Sequence, residues 1–200
     1  MTPLVTPSTP DLALESRNGW PADLRLLADR YPREVWTGHA NLGAMAQFWL
    51  QRHAMFREIG ASLDQATAAF RDGTATAQDF RAFFPPRLQL FLQQLNAHHQ
   101  IEDQHYFPVF AAAEARLARG FDVLETDHMV IHGSIEAAVE AANAFLRAAT
   151  NDADALRAAG ERYGATNDAL QRLLRRHLAD GEDLVVPLIL DRGEQALGVG

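Results

Sequence analysis

The sequence predicts an all-α protein whose body is an antiparallel, up-down four-helix bundle. Three observations predict it. Apolar residues recur at three- and four-residue steps along four long stretches. The alternation of apolar and polar residues that marks a half-buried strand is missing. Short segments of turn-forming residues separate the stretches, and short connections make neighbouring helices antiparallel.

Residues 1–34 read as an arm: positions 1–21 carry proline, serine and threonine without periodicity, and a short helix near 23–31 stops at Pro32. The bundle is expected over 35–190 and a C-terminal tail over 191–200. Its first helix runs over about 36–70, where Leu42, Met45, Trp49, His53, Phe56 and Leu63 recur at helical spacing; Arg71, Asp72, Gly73 and Thr74 end it. A short extra helix over 77–84 is expected to break at Pro85 and Pro86, because proline lacks the amide donor and disfavours helix at the residue before it. The second long helix occupies 87–110, with Leu88, Phe91, Leu95, His98, Glu102 and His105 near one stripe. Pro108 kinks or finishes it, the alanine-rich continuation to Leu117 is still compatible with helix, and Gly120 marks a turn. The third helix runs over 122–149, followed by a turn with capping residues at Thr150, Asn151 and Asp152. The fourth covers 153–190, weakened by about 1 kcal/mol at each of Gly164 and Gly181 relative to alanine.

Composition narrows the chemistry. With 48% apolar and 22% charged residues the chain is an ordinary globular one. It has no run of about 18 uncharged apolar residues, so no membrane-spanning helix is expected. It has no cysteine, which excludes disulfides, thiolate metal sites, iron–sulfur clusters and cysteine nucleophiles together. A net charge of -8 repels phosphate backbones, so nucleic acid is not an expected partner. Without a secretory signal in the first ten residues, a cytoplasmic location is the default expectation. Phosphate-binding loops, nucleophile elbows and His-Glu-x-x-His zinc helices are absent, and Arg172, Arg175 and Arg176 read as a solvated basic face.

Eight histidines and a surplus of carboxylates remain. Each long helix carries histidine on its apolar stripe: His53 between Trp49 and Phe56, His98 after Phe91 and Leu95, His128 and His132 between Leu124 and Ile135, and His177 after Leu170, Leu173 and Leu174. One such histidine needs no more than a hydrogen-bonding partner in the core. Five on four helices need partners together, and a metal supplies them at once. His98 and Glu102, and again His128 and His132, stand four residues apart, on one helix face. His98 and His177 each precede a proline by ten residues, so antiparallel helices bring them to similar depths.

The set His53, His98-x-x-x-Glu102, His128-x-x-x-His132 and His177-x-x-x-x-Glu182 resembles hemerythrin and the HHE cation-binding domains over residues 35–190. The run Met55-Phe56-Arg57-Glu58-Ile59 after His53, and the run from His98-His99 through Glu102-Asp103 to Phe107-Pro108, add to the likeness. The resemblance implies two iron ions in an oxo- or hydroxo-bridged, non-haem di-iron centre. His128, His132 and His177 would hold one ion, His53 and His98 the other with an open position, and Glu102 and Glu182 would bridge them. It implies binding of dioxygen, or of nitric oxide or peroxide, inside a shell of Trp49, Phe56, Leu95, Ile131 and Leu173, as a carrier or sensor of oxygen, iron or nitric oxide. The alternative is a di-iron enzyme that decomposes peroxide or oxidises a small substrate.

Departures from the family pattern stand beside this. Hemerythrin has aspartate where this chain has Glu182, and a five-residue step puts Glu182 about 140° round from His177 in a regular helix, with Asp180 and Asp183 as competitors. His39 is expected further along the first helix as a structural residue, and His99 as a neighbour bonded to Asp103. His105, seven residues after His98, is expected to face inward near the site, which Tyr106 and Trp49 can border.

Overall fold

The computed structural model describes residues 11–148 and 153–200, and among these it is all-helical, with no strand. The expected turn at Thr150, Asn151 and Asp152 lies outside the described residues. A short helix α1 (Leu26–Arg30) and a 3-10 turn (Arg33–Val35) precede α2 (Ala44–Arg71) and α3 (Ala77–Ile101). A π-helical turn (Glu102–Tyr106) joins α3 to α4 (Phe107–Ala113), and a 3-10 turn (Ala115–Leu117) leads into α5 (Ala118–Ala148). Then come α6 (Ala153–Arg192) and α7 (Glu194–Leu197).

The bundle is α2, α3, α5 and α6, with α5 packed along α6 and α2 against both α3 and α6. Two apolar clusters show the alternating direction. The first gathers Phe56, Leu63, Phe80, Phe84, Leu95, Ile131, Phe145 and Leu178. The second gathers Trp20, Trp49, Phe107, Phe110, Leu124, Leu184 and Leu188. Along α2 and α5 the chain passes from the second cluster to the first; from α3 into α4, and along α6, it passes from the first to the second. On each long helix a histidine sits where the clusters meet: His53 between Trp49 and Phe56, His98 after Leu95, His128 between Leu124 and Ile131, His177 before Leu178 and Leu184.

The arm is docked on the bundle. Trp20, Leu24 and Leu27 are buried in the second cluster, and Leu14 in the first. Trp36 packs on Val186 and Leu190. At the other terminus, Leu197 of α7 is buried in the second cluster.

Four local expectations are corrected. The first long helix begins at Ala44 rather than near 36. Gly43 is extended at its N-terminus, and the Glu194 carboxylate of α7 accepts the Ala46 N–H at 2.8 Å, so the helix is capped from across the fold. A Cβ at Gly43 would collide with that carboxylate. His39 therefore lies in the preceding loop, edge-on to the Tyr31 ring at 5.4 Å, and not on a helix with His53.

Pro85 and Pro86 do not break a helix: α3 runs through both. The carbonyls that lose their amide partners belong to Arg81 and Ala82, which are exposed to water. On the opposite face Phe80 and Phe84 stack at 4.7 Å and Phe80 stacks on Phe70 at 4.5 Å, so apolar packing holds the turn in place.

Gly120 is no turn but lies in the first turn of α5, where a Cβ would come within 2.7 Å of Leu184 Cδ1; the glycine lets α5 approach α6 closely. Pro108 follows the π-helical turn directly as the second residue of α4 and neither ends nor breaks the helical path, and the alanine-rich stretch ends as helix at Ala113.

Candidate metal centre

Residues from each of the four bundle helices converge in the layer between the two apolar clusters. His53 comes from α2, His98 and His99 from the last turn of α3, Glu102 from the π-helical turn, His128 from α5 and His177 from α6. All six are buried. His53 Nε2 and His98 Nε2 stand 3.0 Å apart, and Glu102 Oε1 lies 3.3 Å from His98 Nε2 and 4.0 Å from His53 Nε2. Glu102 Oε2 turns the other way, 3.3 Å from His128 Nε2, which is itself 3.1 Å from His177 Nε2. The His99 ring stacks on His128 at 4.0 Å and meets His177 edge-on at 5.5 Å. Two groups thus have ligand geometry, His53 with His98 and Glu102, and His99 with His128 and His177; the two oxygens of Glu102 reach toward both.

The π-helical turn makes this possible. Phe107 donates its amide to the Glu102 carbonyl, a five-residue step where an α-helix takes four. The wider turn keeps Glu102 and Phe107 buried on the inner face and carries His105 round to solvent. The expectation that His105 faces inward assumed an unbroken helix and is corrected: it is exposed and lies outside the centre.

The outer ring nitrogens are held by carboxylates. Nδ1 of His53 faces Glu182 Oε1 at 3.0 Å, Nδ1 of His128 faces Asp103 Oδ1 at 2.7 Å, and Nδ1 of His177 faces Asp127 Oδ2 at 3.3 Å. A carboxylate accepts, so these partners put the ring proton on Nδ1 and aim the Nε2 lone pair inward. Where both rings carry their proton on Nδ1, the facing Nε2 atoms at 3.0 and 3.1 Å are both acceptors, which a shared proton or a metal ion satisfies. Two nitrogens bound at about 2.1 Å and a right angle to one ion are about 3.0 Å apart. Both nitrogens of His99 and Glu102 Oε2 are buried without a hydrogen-bond partner. The residues therefore fit a metal ion in each group.

Electrostatics agree. Burial, with the neighbouring imidazoles, pushes His98 down to about 3 and leaves it an unprotonated donor. Burial acts against ionising Glu102, but the surrounding His98 and His128 rings outweigh it and hold the carboxyl at about 2. His128 goes the other way: burial opposes its charge, yet Asp103 and Glu102 raise it to about 9.

Arginines fasten the outer carboxylates. Arg17 bonds Asp127 through Nη1 and Nη2 and Asp180 through Nε at 2.7 Å, with its own side chain fully buried. Arg33 Nη1 and Arg57 Nη2 meet Glu182 at 2.7 and 2.8 Å.

A family model for the hemerythrin HHE cation-binding domain matches residues 44–189. The chain belongs to this family. It is thus a cation-binding helical protein, and its histidine and glutamate groups fit a metal site. No curated protein and no solved structure matches it. Arg17 and Arg33 lie before the stretch that matches the family.

Against the arrangement that the resemblance implies, His53, His98, Glu102, His128 and His177 come together at the centre. His132 is half-buried, edge-on to His99 at 5.6 Å, and His99 occupies the place beside His128 and His177. Asp103, expected to bond His99, bonds His128 instead, because His99 is turned into the core. Glu182 faces the outer nitrogen of His53 and two arginines. Asp180 is spent on Arg17 and Arg176, and Asp183 on Arg33. Arg176 is accordingly no solvated cation: its Nη2 is 2.5 Å from Asp180 Oδ1.

The sequence reading missed His99 and the orienting groups Asp127, Arg17 and Arg33. Asp127 had a signal, being an acid next to a candidate ligand inside an apolar stripe. The arm arginines had none, since nothing in their neighbourhood marks them for burial.

Proposed function

We propose that this protein holds two iron ions and binds dioxygen, or a related small ligand such as nitric oxide, between the helices of its bundle. The observation that carries the reading is a single buried carboxylate, Glu102, with one oxygen toward the His53–His98 pair and the other toward His128. In this reading His53 and His98 would hold one ion, His128 and His177 the other with His99 or His132, and Glu102 would offer one oxygen to each. Imidazole with carboxylate suits iron. Two bridged ions supply paired one-electron chemistry for a diatomic ligand.

The remaining work falls to the chain's own groups. Glu182, Asp103 and Asp127 fix the ring orientation of His53, His128 and His177, which keeps the inner nitrogens free for metal. Phe56, Leu95 and Ile131 on one side and Trp49 and Phe107 on the other close the layer to water. The enzymatic alternative draws its support from Tyr106, which lines a pocket beside His98; His105 gives it none, being exposed.

The test is metal analysis together with the absorption spectrum of the reduced protein before and after air. About two irons per chain, and a spectral change in air that evacuation reverses, are expected on the family stoichiometry. Metal-free protein from anaerobic, iron-replete preparation refutes the reading; irreversible bleaching with turnover of added peroxide moves it to the enzyme.

A further inference from the structure

A pocket of about 270 Å³ opens beside His98, between one face of α2 and the junction of α3 with the π-helical turn. Phe48, Trp49 and Arg52 line it from α2, and His98, Ile101 and Tyr106 from the other side. Its rim exposes large apolar side chains, Phe48 at 60% and Ile101 at 43%, in a protein that otherwise buries its aromatic residues well.

One cation in this apolar pocket lacks a charged partner. Arg52 has no carboxylate within ion-pairing distance among the described residues, in a chain of net charge -8. Its Nη2 donates to Gln94 Oε1 at 2.7 Å, and its guanidinium lies over Phe48 and Phe56 with the ring centres 5.9 and 5.6 Å away. A guanidinium has five N–H donors, so the one bond to Gln94 leaves others for an acceptor.

We propose that this pocket binds a small organic monocarboxylate with a flat apolar body. Arg52 takes the carboxylate, and Phe48, Ile101 and Tyr106 cover the apolar part. One arginine in an otherwise apolar pocket matches one negative charge; a phosphate dianion would need a second cation. The volume suits a molecule of benzoate size. Because His98 lines the same pocket, a bound carboxylate sits next to the metal centre and controls what else reaches it from this side. The site is built from α2, α3 and the π-helical turn and does not depend on which metal the centre holds.

Titration calorimetry of the protein as purified, with benzoate and then with the neutral isostere benzamide, tests this. The expected result is one benzoate site with a Kd of about 0.1–1 mM and benzamide weaker by about tenfold or more. Arg52→Gln should weaken benzoate by about tenfold and abolish the preference over benzamide. Equal affinity for the two ligands, an unchanged Kd in Arg52→Gln, or no binding on the order of 10 mM benzoate overturns the proposal. The benzoate–benzamide comparison needs no variant to fold. Heat of binding requires no iron, so failure here is separable from failure of the di-iron reading.

Discussion

Arg17 and Asp127 stand 110 positions apart in the chain and are joined by two hydrogen bonds, Nη1 at 3.2 Å and Nη2 at 2.5 Å. The same aspartate oxygen faces Nδ1 of His177. An arginine from the arm thus braces a histidine of the centre through one carboxylate. Removing it leaves Asp127 and Asp180 buried without their common cation. Arg17→Met should destabilise the fold by about 3–5 kcal/mol, read by chemical denaturation, and should weaken metal retention because His177 loses its orienting partner. An unchanged denaturation midpoint would show that the arm does not brace the centre.

Glu102 and Glu182 touch the same histidine in different ways, Glu102 at the inner nitrogen of His53 and Glu182 at the outer one. Replacing each with glutamine separates the roles. Glu102→Gln should lose the bridge, and with it most bound metal. Glu182→Gln still accepts from His53, and should lower affinity by about 10–100-fold at full occupancy under saturating metal. Competition with a chelator measures both, and equal losses would make Glu182 a direct ligand.

His99 and His132 compete for one place beside His128 and His177. The geometry favours His99, which is buried and has both nitrogens unpartnered, over the half-buried His132. His99→Phe should therefore reduce metal stoichiometry more than His132→Phe, as read by elemental analysis. The reverse ranking would restore the ligand set that the family resemblance implies.

Glu114 ties the α4–α5 connection to the end of α6 through Arg116 at 2.7 Å and Arg192 at 3.1 Å. The hydrogen bond from Arg116 chiefly holds its carboxyl at about 2, below its ordinary 4.5. A depressed carboxyl contributes stability that is complete above about pH 4.5 and is lost as pH falls toward 2. The difference in thermal midpoint between wild type and Glu114→Gln should hold steady at neutral pH and shrink across that acid window.

The bundle was legible because its signal is periodic. Trp49, His53 and Phe56 share a face in any α-helix, and the structure keeps them there. What escaped was everything that depends on distant parts of the chain. Pro85 and Pro86 read locally as a break, but Phe80 packs against Phe70 and Phe145 and Phe84 against Tyr163, all from other helices, and tertiary packing overrides the propensity. The π-helical turn has no spacing signature, so the phase of every residue after Glu102 was extrapolated from an α-helix, and His105 was turned the wrong way. Arg17 sits in a stretch without periodicity, and only the fold brings it to Asp127 and Asp180.

The imidazole layer also divides the interior. Phe56, Leu95, Ile131 and Leu178 belong to one oily half, Trp49, Phe107, Leu124 and Leu184 to the other, and each long helix crosses from half to half at a histidine. An ion held there would join two greasy compartments that meet across a seam of nitrogen and oxygen, so metal loading is expected to tighten the coupling between the two ends of the bundle.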